Sequence, residues 1–331
     1  MKLRAVIILI LLICLLPGRV VRALEVPESE ALLTVPAASD NQETAPSGFE
    51  QGIAAYRQGD FRAALSDWQE LAEQGYGPAL HNLGVLYEYG RGTNPDYTRA
   101  ARYYERAATF EIPQALNNLA RLYAGGLGVA KNEKRAVRLL SQASDLGFPE
   151  ARFNLGIAYL KGRGIRKDAK QAVRLFEAAA EAGYGPAQYN LAGMYHRGQG
   201  VHRDLVQALK WYEMAAASGD PLAHYGAAMI GLSKGALPMP ANLVIRHLRL
   251  AADAGVADAQ NQLGIVYARG RLVTADQGTA MMWFLIAASI GNPQAERNRD
   301  LLARRLAGDV LTKARRRALA FRPTALTSAR E

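Results

Sequence analysis

The sequence predicts an all-α fold, a solenoid of stacked helical hairpins, and three observations carry that expectation. Residues recur in columns at a 36-residue period, each period holds two amphipathic stretches, and capping residues and glycines recur where helices must start and stop. Ala79, Ala115, Ala151, Ala187, Ala223, Ala259 and Ala295 form one unbroken column. Ala64, Ala100, Ala136, Ala172, Ala208, Val244 and Ala280 form a second, and Tyr87, Tyr123, Tyr159, Tyr195, Gly231 and Tyr267 a third.

The first stretch of each period, as in the segment from Ala79 to Gly90, places Leu83 and Tyr87 on one face at helical spacing. It stops at paired glycines (Gly90/Gly92, Gly126/Gly128, Gly162/Gly164, Gly198/Gly200), where a chain leaving a helix needs a positive φ. The second stretch starts at Asp60, Asp96, Asn132, Asp168, Asp204 and Asp276, short acceptors suited to cap free backbone N–H groups. Its apolar face is Trp68, Tyr104, Leu140, Phe176, Tyr212, Leu248 and Phe284. It ends at Gly75, Gly147, Gly183, Gly219, Gly255 and Gly291, with Pro78, Pro149, Pro186, Pro221 and Pro293 opening the next period. Such short helices are marginal alone in water, so each pair must bury its apolar face on its neighbours.

Five segments follow in chain order. Residues 1–23 read as an export signal, with Lys2 and Arg4 before the apolar run Ala5–Leu16 and cleavage expected near Ala23. That run is too short to span a bilayer, which takes about 20 residues. Lipidation at Cys14 is disfavoured because Ile13 precedes it. Residues 24–47 read as a flexible acidic leader with three prolines, 48–76 as a short hairpin with a tight turn, and 77–293 as six periods. Residues 294–331 read as capping helices with a basic tail, Arg315–Arg317 giving a solvated outer surface.

Charge and cysteine content narrow the function. The formal net charge is +10, but residues 24–294 carry 26 Lys/Arg against 26 Asp/Glu; the excess lies in the signal and the tail. That argues against a nucleic-acid partner. The one cysteine, Cys14, lies in the signal, so no internal disulfide is expected in the mature chain.

The pattern A-x-x-N-L-G-x-x-Y-x-x-G-x-G, then D-x-x-x-A and a late A-A-x-x-G, resembles the Sel-one-like repeat family, longer-looped relatives of tetratricopeptide repeats. The resemblance covers residues 49 to about 320 and implies a right-handed α-solenoid of antiparallel helix pairs that serves as an adaptor. Bacterial members with signal peptides act in the cell envelope, in polysaccharide export, sensor regulation or host contact. It thus implies a periplasmic or secreted scaffold binding a protein partner, with no membrane span once the signal is removed. Two departures stand out. Some secreted members brace each pair with a disulfide, which this chain cannot. The fifth period decays: Gly226, Ala227, Ala228 and Gly231 replace the expected residues and Pro240 replaces the capping Asp, so looser packing or a kink is expected.

The resemblance also singles out a surface. In tetratricopeptide arrays the first helix of each pair lines the concave wall, and Asn82, Asn118, Asn154 and Asn190 match the position that holds a peptide ligand in binding members. An amide suits a peptide backbone, but equally suits bridging between neighbouring helices. Arg121, Phe153, Tyr189 and Arg197 fall on the same wall and are of types that binding hot spots favour. A basic run, Lys161, Arg163, Arg166, Lys167, Lys170 and Arg174, is read either as a solvated face or as a contact for acidic polysaccharide, peptidoglycan, lipid head groups or an acidic partner. No enzyme is expected and no cofactor or metal is implied. The string GLSKG at 231–235 matches a serine-nucleophile pattern but follows a helix, with no strand nearby. His196 and His202 lack the further ligands zinc would need.

Overall fold

The computed structural model describes Leu33, residues 45–233 and residues 239–324. Among these residues it holds sixteen α-helices and no strand, so the all-α expectation holds. The expected export signal lies outside the described residues, as does most of the expected leader.

The chain divides into two compact units, Met1–Lys131 and Asn132–Glu331. The first holds α1 (Ser47–Arg57), α2 (Phe61–Glu73), α3 (Gly77–Tyr89), α4 (Tyr97–Ala108) and α5 (Pro113–Gly125). The second holds α6 (Glu133–Asp145), α7 (Pro149–Lys161), α8 (Ala169–Glu181), α9 (Gly185–Arg197), α10 (Leu205–Ala217), α11 (Pro221–Leu232), α12 (Ala241–Asp253), α13 (Ala257–Arg269), α14 (Gln277–Ser289), α15 (Pro293–Ala303) and α16 (Gly308–Ala320). Within each unit, consecutive helices pack as hairpins and each hairpin packs on the next. The two terminal helices depart from this, since α15 and α16 each rest on α14.

Local chemistry sets the helix ends. All six short acceptors of the capping column hold a backbone N–H of the first turn; Asp60 Oδ1 accepts from Ala63 N at 3.0 Å and Asn132 Oδ1 from Arg135 N at 2.9 Å. Asp220 and Asn292 cap α11 and α15 in the same way, outside that column. Gly90, Gly126, Gly162, Gly198 and Gly270 end their helices at φ 65–70°, in the left-handed region.

The second glycine of each pair also stands at positive φ, 66–75°, and has a further cause. A Cβ at Gly128 would lie 2.3 Å from the backbone carbon of Tyr97, and one at Gly164 2.3 Å from the carbonyl oxygen of Glu133. The loop of one hairpin thus presses on the first turn of the preceding hairpin's second helix, and only glycine leaves room.

The core is built by size complementarity between the two helices of a hairpin. Both alanine columns are buried throughout. Where the second helix brings an aromatic ring, the first helix offers glycine: a Cβ at Gly84 would lie 2.4 Å from Tyr104, at Gly156 2.6 Å from Phe176, and at Gly264 2.4 Å from Phe284. Where the second helix brings Leu248, that place holds Ala228. Tyr212 breaks the pairing, because Ala192 stands opposite it. Its ring lies over Gly226 on the next helix, where a Cβ would come within 2.5 Å. Among its described residues the fifth period is therefore repacked, not loosened: Ala223, Gly226, Ala227, Ala228 and Ile230 are all buried. Of those described, the start of α12 shows the expected weakness, since Pro240 supplies no side-chain cap.

Candidate functional site: the first-helix wall and the basic loop

In the first unit, α3 and α5 carry a polar cluster around Tyr104 of α4. His81 Nδ1 lies 3.2 Å from Asn82 Oδ1, and His81 Nε2 lies 3.1 Å from Asn118 Nδ2. Both contacts are met by one neutral tautomer, with the proton on Nδ1 and Nε2 accepting from the Asn118 amide. Burial lowers the His81 pKa to about 4. Beside it, the Glu88 carboxylate accepts from the Tyr104 hydroxyl at 2.9 Å and pairs with the Arg121 guanidinium. Burial, then the Glu88 charge, pushes the Tyr104 hydroxyl well above its usual range. Burial acts most strongly on Arg121 and against its charge, but Glu88, Tyr89 and Tyr104 together raise the guanidinium pKa.

In the second unit, Phe153 of α7 is buried, its ring 5.4 Å from Phe176 and 5.4 Å from Tyr184. Asn190 of α9 is also buried and donates to Pro186 O at 2.8 Å. Tyr189 is half-buried against Tyr212, Asn154 is half-buried, and Arg197 is exposed. Asn261 of α13 accepts from Asn298 Nδ2 at 2.9 Å.

These contacts follow a rule. The amide of the Asn column reaches the residue one period earlier and one place back when that residue is polar: Asn118 to His81, and Asn298, in the same column, to Asn261. The residue so placed before Asn190 is Phe153, which offers no partner, so Asn190 turns to its own helix. At these positions the column braces neighbouring first helices. Of the wall residues picked out by sequence, Asn82, Asn190 and Phe153 are buried and so cannot meet a partner in this conformation. Asn118, Arg121, Asn154 and Tyr189 are half-buried, and Arg197 alone stands fully in solvent.

The tyrosine column also has a partner invisible to the repeat pattern. Tyr123 and Tyr195 donate their hydroxyls to Glu105 and Glu177, eighteen residues earlier, at 2.7 and 2.8 Å. At the same offset Arg249 Nη2 donates to Tyr267 at 2.6 Å. Sequence reasoning also missed the pair His224 and His247, whose Nδ1 atoms lie 3.0 Å apart. They stand in different columns, and only the crossing of α11 and α12 joins them.

The remaining chemical candidates do not assemble. Ser233 of the GLSKG string donates to Ile230 O at 3.0 Å, and its flanking residues 234 and 235 lie outside the described set. Among the described residues no group of three or more His, Cys, Asp or Glu side chains is placed to hold a metal ion. No described helix is long and apolar enough to cross a membrane. Lys161, Arg163, Arg166, Lys167 and Lys170 are all exposed, from the end of α7 through its loop to the first turn of α8.

Fold and wall together define a helical-hairpin repeat protein. The Sel1 repeat model matches residues 77–109, 113–148, 149–184, 185–220 and 257–292, passing over the repacked fifth period, and the chain belongs to the Sel1 repeat family. It is similar to a Sel1 repeat protein from Oxalobacter formigenes, at 29% identity and a TM-score of 0.65, over 73% of this chain and 99% of that one. It is also similar to a protective antigen of uropathogenic Escherichia coli strains displaying an SLR fold, at 26% identity and a TM-score of 0.53, over 83% of this chain and 68% of that one. DAP3-binding cell death enhancer 1 of Rattus norvegicus is 41% identical over 49 residues, which are 15% of this chain and 10% of that protein's length. The fold is a helical solenoid of a type typical of protein-interaction scaffolds.

Proposed function

We propose that this protein is an exported scaffold, periplasmic or secreted, that holds a protein partner on the first-helix wall and so regulates a cell-envelope complex. The observation that supports it best is on α9. Arg197 is exposed and Tyr189 half-buried, and they lie eight residues apart, near one another around the helix. An aromatic ring already held by Tyr212 beside an exposed guanidinium is the composition binding hot spots favour, because the ring loses little freedom on contact. The apolar run of residues 5–16 supports export.

The test is a crosslinking pull-down from the native envelope, comparing the intact protein with a Tyr189→Ala/Arg197→Glu variant. A partner captured by the first and lost by the second, with cooperative melting retained, supports the wall. Equal capture places the partner elsewhere. N-terminal sequencing of the fractionated protein tests export; a first residue near Leu24 is expected, and an intact Met1 in the cytosol would refute it.

A further inference from the structure

Residues 24–294 are neutral overall, yet the structure gathers ten of their 26 Lys/Arg on one edge of the second unit. The gathering follows from the paired glycines. A Cβ at Gly164 would lie 2.3 Å from Glu133 O and 2.9 Å from Lys134 N, so the loop after α7 sits on the first turn of α6. A Cβ at Gly200 would lie 2.4 Å from Ala169 O, so the loop after α9 sits on the first turn of α8. Lys134 is thereby brought beside the loop of Arg163, Arg166 and Lys167, and Lys170 beside the loop of Arg203. Segments 133–138, 163–174 and 203–210 become one edge carrying ten Lys/Arg, all exposed, against three carboxylates. Two of the three are committed to helix caps: Asp168 Oδ1 accepts from the N–H groups of Lys170 and Gln171, and Asp204 Oδ1 from those of Val206 and Gln207. Like charges held this close repel one another, and a counter-charge relieves that cost.

We propose that this edge binds a linear anionic polysaccharide through its carboxylates, a function separate from the partner wall and not resting on it. Three features select that occupant. The cations run in a file across three successive hairpins, which matches a chain carrying charge at regular intervals. Arginine forks at 163, 166 and 203 suit planar carboxylates. Val206 is the one exposed large apolar residue in the three segments, so the edge has no aromatic platform for stacking bases and no apolar wedge for entering a bilayer. Binding dominated by exposed charge is strongly sensitive to salt.

The test is affinity electrophoresis of the full chain through gels containing polygalacturonate, at about 20 and about 200 mM NaCl. The intact protein is expected to be retarded at the lower salt and released at the higher. An Arg163→Ser/Arg166→Ser/Lys167→Ser variant, which leaves both loop glycines in place, is expected to bind about tenfold more weakly or worse. A variant of equal charge loss at the other basic cluster, Arg315→Ser/Arg316→Ser/Arg317→Ser, should stay within about twofold of the intact protein. No retardation at low salt would overturn the proposal. So would equal loss in the two variants, which would show an effect of net charge alone. Tighter loop-dependent binding to duplex DNA or to phosphatidylserine vesicles than to the glycan would overturn it in favour of those polyanions.

Discussion

The glycine–ring pairing is open to a direct test at Gly156 and Phe176. A Cβ at position 156 would sit 2.6 Å from Phe176 Cε1 and 2.9 Å from Cδ1. In an unconstrained helix interior, Gly→Ala stabilises by about 1 kcal/mol. Here the added methyl overpacks a fully buried ring, at about 1–3 kcal/mol, so Gly156→Ala should destabilise by about 1 kcal/mol on balance. Phe176→Leu alone removes ring atoms and leaves a cavity, costing about 1–2 kcal/mol. Together the two changes recreate the Ala228/Leu248 pair, so the double variant should be more stable than the sum of the singles by about 1–2 kcal/mol. Urea unfolding of the four proteins measures this, with hydrogen exchange on α7 and α8 showing that the change is local. A Gly156→Ala variant stabilised by about 1 kcal/mol, or strict additivity, would show that the ring yields freely and that the correlation carries no energy.

Two other consequences concern backbone and pH. Glu111 stands at φ 54° in the column that elsewhere holds Gly75, Gly147, Gly183, Gly219, Gly255 and Gly291, so Glu111→Gly should stabilise by about 1 kcal/mol in denaturant titration; no gain would mean its side chain offsets the strain. His81 has a folded pKa of about 4 against about 6.5 unfolded, so the neutral ring is the one the fold favours. Its contribution is complete above about pH 6.5 and lost as the pH falls toward 4, amounting to about 2 kcal/mol by pH 5. A His81→Gln variant should show a correspondingly shallower loss of stability over that window, and parallel curves would exclude His81 as the source.

Helix number, helix ends and the buried columns were legible because each follows from a residue's relation to its own helix. A cap needs an acceptor at a fixed offset, and a left-handed exit needs glycine. What escaped was contact between helices. The period told which face Asn82 and Asn190 occupy, but not that both are buried there. It could not join His224 to His247, nor say that the second glycine of each pair, beyond its positive φ, also leaves room for a neighbour's backbone. Decay in the fifth period looked like lost constraint because only one column was in view. With Ala192 opposite Tyr212, the ring moved to the next helix and Gly226 became a requirement.

The same distinction bears on where function lies. A repeat column is conspicuous when each copy meets the same need, and in a stacked array that need is the neighbouring copy. The Asn column satisfies it at His81 and Asn261, and where Phe153 offers no partner the amide returns to its own helix. Contact with an outside molecule has no reason to recur at every period, so it belongs to positions that vary from row to row. Arg163 and Arg166 are such positions: their counterparts one period later are Gln199 and His202, and one period earlier Leu127 and Ala130, whereas Lys167 recurs as Arg203 and Lys131. Their charge is no consequence of the stacking geometry, whereas the glycines between them are.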